Sequence, residues 1–443
     1  MLKGQQEHIH FIGIGGIGVS ALARYYLAQG AAVSGSDINM PDITDPLKKE
    51  GALIFEGYRA ENVPDEADRV VYTAATEEDN PELRAAKSKN IKCQTYAQAL
   101  GDLTKQYFTI AISGTHGKST TTAMLALILV EAGLDPTVIV GTKLAEFGDS
   151  NFRAGKSKYL VIEADEYKAA FLNYWPKIIV LTNIEADHLD FYRDIGQIKK
   201  TFSEYVGHLG EDGILVKNDE DQNINEIAAS PKVKTKKYGL KEKIDNLNLK
   251  VPGRHNLLNA AAAIITAREL GIADEISVWA LNKFNGTWRR FEYKGELNGA
   301  KIFDDYGHHP TEIKATLQGA REMLINSHKP YAKLWCVFRP HQYQRIFYLF
   351  DEFAAAFDEA DKVVLLPIYS VPGREKEEIV KAVSSEKLAQ KIKEKGKDVE
   401  SLGSFQEAAR YIKQNAKAGD LILVMGAGDV WKLTEMLFTA AKA

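Results

Sequence analysis

The run Gly114-Thr-His-Gly-Lys-Ser-Thr120 has the residue types needed to hold a polyphosphate. Gly114 and Gly117 let backbone amides approach anionic oxygens, and Lys118 supplies a positive charge. Ser119 offers a hydroxyl that can ligate Mg2+, at the start of a helix whose dipole favours anions. Thr115, His116 and Thr120 complete the cradle. The stricter Walker pattern has glycine where Ile112 stands, so this is a shortened form, Gly-Thr-x-Gly-Lys-[Ser/Thr]. A second glycine run lies near the start of the chain. Gly13, Gly15 and Gly18 satisfy G-x-G-x-x-G, Gly16 lies among them, and Asp37 follows about twenty residues on. Alone, that run means a nucleotide or pyrophosphate seated on a helix N-terminus, and a nicotinamide dinucleotide is one case among several.

Acids and a histidine gather where a metal-assisted phosphoryl transfer would use them. Glu163-Ala-Asp-Glu166 ends one apolar run, and Ile184-Glu-Ala-Asp-His-Leu-Asp190 follows another. Mg2+ prefers hard oxygen ligands, so Ser119, a carboxylate and a nearby histidine could serve it beside a triphosphate. Capping and turn chemistry also places acids at strand ends. Asn256 and Asn259 share one face at the start of an alanine-rich helix, where they could read an adenine edge or cap the helix. Arg289 and Arg290 sit among aromatics, and arginine is a natural partner for a transferring γ-phosphate.

These groups need strand–helix units to position them. Thr109–Ile112 reads as a buried parallel strand leading through the phosphate loop into the helix that begins Ala123-Met-Leu-Ala-Leu-Ile-Leu. Before it, strands are expected at Ile9–Ile12, Ala32–Asp37, Ala52–Phe55, Arg69–Thr73 and Ile91–Thr95, with helices at Val19–Gln29 and Pro81–Lys89. Strands at Tyr159–Glu166 and Lys177–Asn183 follow, then the helix opened by Gly253-Arg-His-Asn256. A last segment has strands at Lys301–Asp304, Lys333–Phe338, Lys362–Leu366 and Leu421–Met425. Its helices are expected at Arg345–Phe357, Lys376–Lys393 and Phe405–Ala416, with a final one after Gly426-Ala-Gly-Asp429. The expected class is α/β in three domains: a Rossmann-like N-terminal domain (1–106), a central P-loop ATPase-like domain with a parallel sheet (107–294), and a Rossmann-like C-terminal domain (295–443). The lysine-rich stretch Lys232–Lys250 reads as a solvated face.

Composition excludes several classes. Across 443 residues the net charge is −4, which argues against nucleic acid or an anionic membrane as the main partner. No apolar run reaches the roughly 18 residues of a membrane span, and Met-Leu-Lys-Gly-Gln-Gln-Glu-His8 lacks a signal-peptide core, so a cytoplasmic location is expected. Two cysteines, Cys93 and Cys336, are too few for a disulfide framework.

The landmarks together resemble the Mur ligase family. They are His10-Phe-Ile-Gly-Ile-Gly-Gly-Ile-Gly18, Gly114-Thr-His-Gly-Lys118, Glu163-Ala-Asp-Glu166, Thr182-Asn-Ile-Glu185 with Asp187-His188, Arg254-His-Asn256 with Asn259, Arg289-Arg-Phe291, and Asp304-Asp-Tyr-Gly-His-His-Pro-Thr311. Folylpolyglutamate synthetases look similar in the central segment only. The resemblance implies ATP-dependent joining of L-alanine to the carboxylate of UDP-N-acetylmuramate, through an acyl phosphate, in peptidoglycan precursor synthesis. A Mur-type ligase acting with another amino acid or peptide is the alternative. An NAD-dependent oxidoreductase would explain Gly13–Gly18 and Asp37 but leave the phosphate loop unused.

Carried onto this sequence, the resemblance assigns Gly13, Gly15, Gly16, Gly18, Asp37 and Thr73 to the UDP-sugar. ATP falls to Gly114–Thr120, Asn256 and Asn259 (adenine), Asp305 (ribose) and Arg290 (γ-phosphate). Ser119, Glu163 and His188 are the implied Mg2+ ligands, and His308 and Arg345 the amino-acid site. Lys118, Glu163, His188, Arg290 and His308 form the implied catalytic set, and a monomer or weak homodimer is expected. Three departures stand out. Ser119 replaces the usual Thr, and Tyr167-Lys168 replaces Ser-Asp. Phe338-Arg-Pro-His-Gln-Tyr-Gln-Arg345 replaces Phe-Gln-Pro-His-Arg-Tyr-Thr-Arg. Gln342 therefore stands for an arginine, and Arg339 is expected to take part of its work on the alanine carboxylate. Lys118→Ala is expected to abolish ligation with the fold intact, because a turn lysine supports no core.

Overall fold

The computed structural model describes residues 6–40, 43–241, 243–326, 332–371 and 376–439. Residues 1–5, part of the Met1–His8 stretch on which the expectation of no signal peptide falls, and Glu242 of the lysine-rich stretch lie outside them. The chain packs as two compact units. One comprises Met1–Ile184, Lys199–Glu242 and Ala260–Ala280; the other comprises Glu185–Ile198, Lys243–Asn259 and Leu281–Ala443.

The first unit holds two sheets. Strands β1 (His8–Ile12), β2 (Ala32–Asp37), β3 (Leu53–Glu56), β4 (Arg69–Tyr72) and β5 (Lys92–Thr95) form a parallel sheet in the order β3-β2-β1-β4-β5. The strand order reverses at β1, and ligands of open α/β sheets collect at such a point. The second sheet contains β6 (Phe108–Ser113), β7 (Thr137–Leu144), β8 (Ser150–Arg153), β9 (Tyr159–Ala164), β10 (Ile178–Leu181), β11 (Ile214–Asn218) and β12 (Lys234–Tyr238). Their order is β12-β11-β10-β6-β9-β7-β8, parallel except for β7 against β8. Ile110, Ala111 and Ile112 are fully buried, as are Val161, Ile162 and Ile178–Leu181. A parallel strand covered on both faces reads as such a continuous apolar run. The register pairs Ser113 with Ala164 and with Leu181, so β6, β9 and β10 end level. That alignment puts the phosphate loop, Glu163–Glu166 and Thr182-Asn183 on one sheet edge.

The second unit carries β13 (Glu292–Leu297), β14 (Ala300–Asp305), β15 (Leu334–Phe338), β16 (Lys362–Leu365), β17 (Val399–Ser401) and β18 (Leu421–Met425), ordered β13-β14-β18-β15-β16-β17. Only β13 against β14 is antiparallel. The expected boundary at 294/295 falls inside β13. Asp305 and Phe338 both register with Met425, so the ends of β14, β15 and β18 also form one edge.

Several elements differ from expectation. Arg345–Phe357 is two short helices, Tyr343–Tyr348 and Phe350–Ala354, because Leu349 leaves the helical region at φ −119°, ψ 30°. Lys376–Lys393 likewise divides into Glu377–Ala382 and Ser385–Glu394. Val383 is extended there, and the Ser384 hydroxyl accepts the Lys387 amide as a new N-cap. The lysine-rich stretch is not simply a solvated face. It contains β12, whose Lys234 and Lys236 pair with the Glu269 carboxylate, the latter at 3.1 Å.

Candidate functional site

In the first unit, the chain leaves β1 through Gly13, which has φ +82°; a Cβ there would lie 2.5 Å from the Thr73 methyl. The helix Ile17–Ala28 follows. Ser36 O accepts from the amides of Gly13 (2.8 Å) and Ile14 (3.0 Å), and the Asp37 carboxylate accepts from Gly15 N at 2.9 Å. Asp37 thus props the loop from the adjacent strand end. Gly18 passes close to Tyr96; a Cβ would meet the phenol oxygen at 2.8 Å. Glycine is required at both places, by conformation at Gly13 and by close approach at Gly18.

The phosphate loop occupies the end of β6. Gly114 has φ +136°, and a Cβ there would overlap the Thr182 hydroxyl; Gly117 has φ +82° and caps the helix Lys118–Glu131. Thr182-Asn183 braces the loop. Asn183 O accepts Thr115 N (2.9 Å), Asn183 Oδ1 accepts His116 N (2.8 Å), and the Thr182 hydroxyl donates to His116 O (2.6 Å). Ser119 and Thr120 begin the helix. Lys118 Nζ donates to Gly114 O at 2.6 Å, to Thr115 O at 3.2 Å and to Glu166 at 2.9 Å. The Glu166 side chain is only 3% exposed. Burial works against the ammonium, but the Glu166 and Asp165 carboxylates outweigh it and raise the Lys118 pKa above its ordinary value. Sequence reasoning leaves Glu166 between a Mg2+ carboxylate and turn chemistry and does not pair it with Lys118; the signal for that pairing is its position, at a strand end level with the loop. Glu163 Oε1 accepts Gly141 N at 2.7 Å. Among the family departures, Lys168 sits at φ +51° and donates to Ala74 O at 3.0 Å.

The second unit places the remaining expected groups. Arg289 is 1% exposed and fully committed, to Asp304 (2.9 Å) and to the carbonyls of Gly428 (2.9 Å) and Gly426 (2.6 Å). Arg289 and Phe291 have φ of +56° and +51°, and this kink separates Arg290 from its buried neighbour. Arg290 lies over the Tyr306 ring and donates to Glu312 at 3.2 Å. The other Glu312 oxygen accepts the amides of His308 (2.9 Å) and His309 (3.2 Å), so one carboxylate ties Arg290 to the start of the helix Pro310–Asn326. His308 Nδ1 lies 3.0 Å from Tyr306 O, which fixes the proton on that nitrogen. Burial lowers the His308 pKa to about 4 although Glu312 opposes it, so the ring is neutral near pH 7. Asp305 accepts the amides of Phe291 (2.8 Å) and Gly307 (2.7 Å); burial raises its pKa to about 6 against the pull of Arg290.

Asn256 and Asn259 are each 7% exposed. Asn256 Nδ2 donates to Pro252 O at 2.7 Å, and Asn259 Nδ2 lies 3.4 Å from Asn256 Oδ1. His188 has φ +54°, a strained conformation of the kind that collects at functional sites. Beside it, the Asp187 carboxylate accepts from Arg345 at 3.1 and 3.2 Å. Burial opposes charge on Asp187, but the Arg345 guanidinium, helped by the nearby imidazoles, holds its carboxyl well below the usual range. Arg345 therefore stands with a buried partner that sequence reasoning did not give it. Gln342 adopts φ +68° in the same turn. Arg339 points elsewhere: it pairs with Asp429, donates to Pro367 O at 3.2 Å, and lies over the Tyr369 and Phe405 rings.

Residues 8–108 match the Mur ligase family, catalytic domain; 112–250 match the Mur ligase middle domain, and 289–428 the Mur ligase, glutamate ligase domain. A curated UDP-N-acetylmuramate–L-alanine ligase from Clostridium botulinum (strain Langeland) is 42% identical over 461 aligned residues, covering 98% of each chain. Its counterpart from Acetivibrio thermocellus is 43% identical, covering 97% of this chain and 95% of its own. Among crystal structures, UDP-N-acetylmuramate–alanine ligase from Thermotoga maritima matches with a TM-score of 0.81 at 29% identity, over 97% of this chain and 98% of that one. A murein peptide ligase from Psychrobacter arcticus matches with a TM-score of 0.73 at 25% identity, over 98% and 100%. With three domains matched in order and relatives aligned over nearly their whole length, this chain belongs to the Mur ligase family.

Proposed function

We propose that this enzyme joins L-alanine to the lactyl carboxylate of UDP-N-acetylmuramate at the expense of ATP, as a step of peptidoglycan precursor synthesis. The observation that carries the reading is 42% identity, over 98% of both chains, to a ligase of that name. The nucleotide substrates imply a cytoplasmic enzyme, and no helix among the described residues is long and apolar enough to cross a membrane. The three domains are taken as 1–106 for the UDP-sugar, 107–294 for ATP and 295–443 for the amino acid, and a monomer or weak homodimer as the working form.

The chemistry meets a charge problem, since a carboxylate must attack a triphosphate. Lys118 is a fully protonated cation on the phosphate loop and offsets the repulsion. Arg290, oriented by Glu312, is assigned the γ-phosphate. Gly114–Thr120 would wrap the phosphates, Asn256 and Asn259 the adenine, and Asp305 the ribose. Ser119 and Glu163 offer the hydroxyl and carboxylate donors that Mg2+ prefers, and His188 is assigned as a further ligand. The ion would lower the charge on the γ-phosphoryl group. Transfer gives an acyl phosphate; the alanine amine then attacks, and phosphate leaves. His308, neutral near pH 7 with its Nδ1 proton on Tyr306 O, can accept a hydrogen bond from that amine at Nε2, while Arg345, and more weakly Arg339, are assigned the alanine carboxylate. Gly13, Gly15, Gly16, Gly18, Asp37 and Thr73 are assigned the UDP-sugar. Phosphate release that requires UDP-N-acetylmuramate and L-alanine together tests the reading. ATP hydrolysis indifferent to both would reject it.

A further inference from the structure

A polar cluster lies beneath the glycine loop, and none of the roles above uses it. His10 on β1, Ser34 and Ser36 on β2, and Glu82 in the helix Pro81–Ser88 are all fully buried, while their strand neighbours Ile9, Phe11 and Ile12 form ordinary core. His10 Nδ1 lies 2.9 Å from the Ser34 hydroxyl, and His10 Nε2 lies 3.3 Å from the Glu82 carboxylate. Glu82 also accepts from the Ser36 hydroxyl, from Asn62 Nδ2 at 2.6 Å and from Arg59 N at 3.1 Å. One carboxylate thus gathers donors from β1, β2 and the Arg59–Asn62 turn. Burial opposes its charge, but the His10, Ser36 and Asn62 donors outweigh that effect and keep its pKa below the ordinary value.

Ser36 links this cluster to the loop. Its hydroxyl is held by Glu82, and its carbonyl holds the amides of Gly13 and Ile14. The next residue, Asp37, holds the amide of Gly15. Three successive loop amides therefore take their direction from the end of β2, which takes its own from Glu82. The first-turn amides of the helix Ile17–Ala28, which no intrahelical carbonyl can pair, follow directly. Anion binding by backbone amides depends on their aim, so a group that fixes the aim acts on affinity without touching the ligand.

We propose that Glu82, with His10 behind it, is a positioning residue for the loop that binds the pyrophosphate of the UDP-sugar. The proposal rests on reading Gly13–Gly18 as that loop. The test uses the full-length enzyme, with UDP-N-acetylmuramate as the titrant in calorimetry and as the varied substrate in kinetics. Glu82→Gln keeps the size of the side chain but removes the charge shared by His10, Ser36 and Asn62. It is expected to weaken the Kd for the UDP-sugar at least tenfold and to raise its KM in proportion. At saturating UDP-sugar, kcat and the KM for ATP are expected to stay within twofold of wild type. Ser36→Ala, which removes one donor and no charge, should shift the UDP-sugar Kd in the same direction by less, and it decides the matter if Glu82→Gln does not fold. An unchanged UDP-sugar Kd, or an equal loss in kcat and ATP affinity, would overturn the proposal. Gly13→Ala separates the two levels. If it binds UDP-sugar as wild type does, the loop itself is misassigned; if it abolishes binding while Glu82→Gln does not, only the positioning role fails.

Discussion

Replacing Lys118 by alanine is expected to damage catalysis and stability by separable amounts. In the role proposed for Lys118, loss of a charge aimed at the transferring phosphoryl group is expected to cost about 3–4 kcal/mol of barrier, or roughly 10²–10³-fold in rate. The fold does not escape, contrary to what a turn lysine suggests. Lys118 Nζ is 2.9 Å from Glu166, whose side chain is 3% exposed, so the substitution takes the ammonium from a buried carboxylate. Breaking such a pair on one side costs about 3–5 kcal/mol. Without that ammonium, the Glu166 carboxyl is expected to titrate higher in the folded protein. Its penalty is full above that raised value and shrinks as pH falls toward the unfolded carboxylate range near 4, where protonation removes the charge. The double variant Lys118→Ala/Glu166→Gln should recover most of the stability and none of the rate. Urea denaturation at pH 7 and pH 5, run beside a ligation assay, reads both quantities. The reasoning is refuted if Lys118→Ala matches wild type in stability, or if the double variant is no more stable than the single.

His308 has a folded pKa of about 4 against an ordinary 6.5. Its contribution is therefore whole above about pH 6.5 and lost as pH falls toward 4, about 3 kcal/mol in all; His308→Phe should flatten the stability profile across that window. Asp187→Asn leaves the buried Arg345 guanidinium unpaired and should cost about 3–5 kcal/mol, seen as a lower denaturation midpoint at neutral pH. Arg345→Ala is expected to raise the KM for alanine more than tenfold. Arg339→Ala should raise it less, because that guanidinium already serves Asp429. Calorimetry should show UDP-N-acetylmuramate binding and no NAD binding, despite the fingerprint at Gly13–Gly18.

Sheet-forming stretches are legible wherever burial on both faces writes itself as a largely apolar run, as in β6, β10, β15 and β18. β12 is not, because Lys234-Thr-Lys-Lys-Tyr238 is an edge strand in which Lys234 and Lys236 find their partner, Glu269, far along the chain. Helix continuity over 345–357 and 376–393 failed for a local reason: composition favoured helix, while Leu349 and Val383 left it to turn the chain. Both glycine loops could be read from spacing, since each needs residues that adopt φ above zero. What spacing could not supply was partnership. Glu166 for Lys118, Glu312 for Arg290, Asp187 for Arg345 and Glu82 for Ser36 are acids placed by tertiary contact, and nothing in their local sequence separates them from ordinary caps.

The most direct test of the account follows radiolabelled L-alanine into product with purified enzyme, omitting one component at a time. The account predicts a UDP-linked amide that forms with UDP-N-acetylmuramate, ATP and Mg2+ together, one phosphate released per bond, and no product when any of them is missing. Label incorporated without ATP, or phosphate released at the same rate without the UDP-sugar, would contradict it.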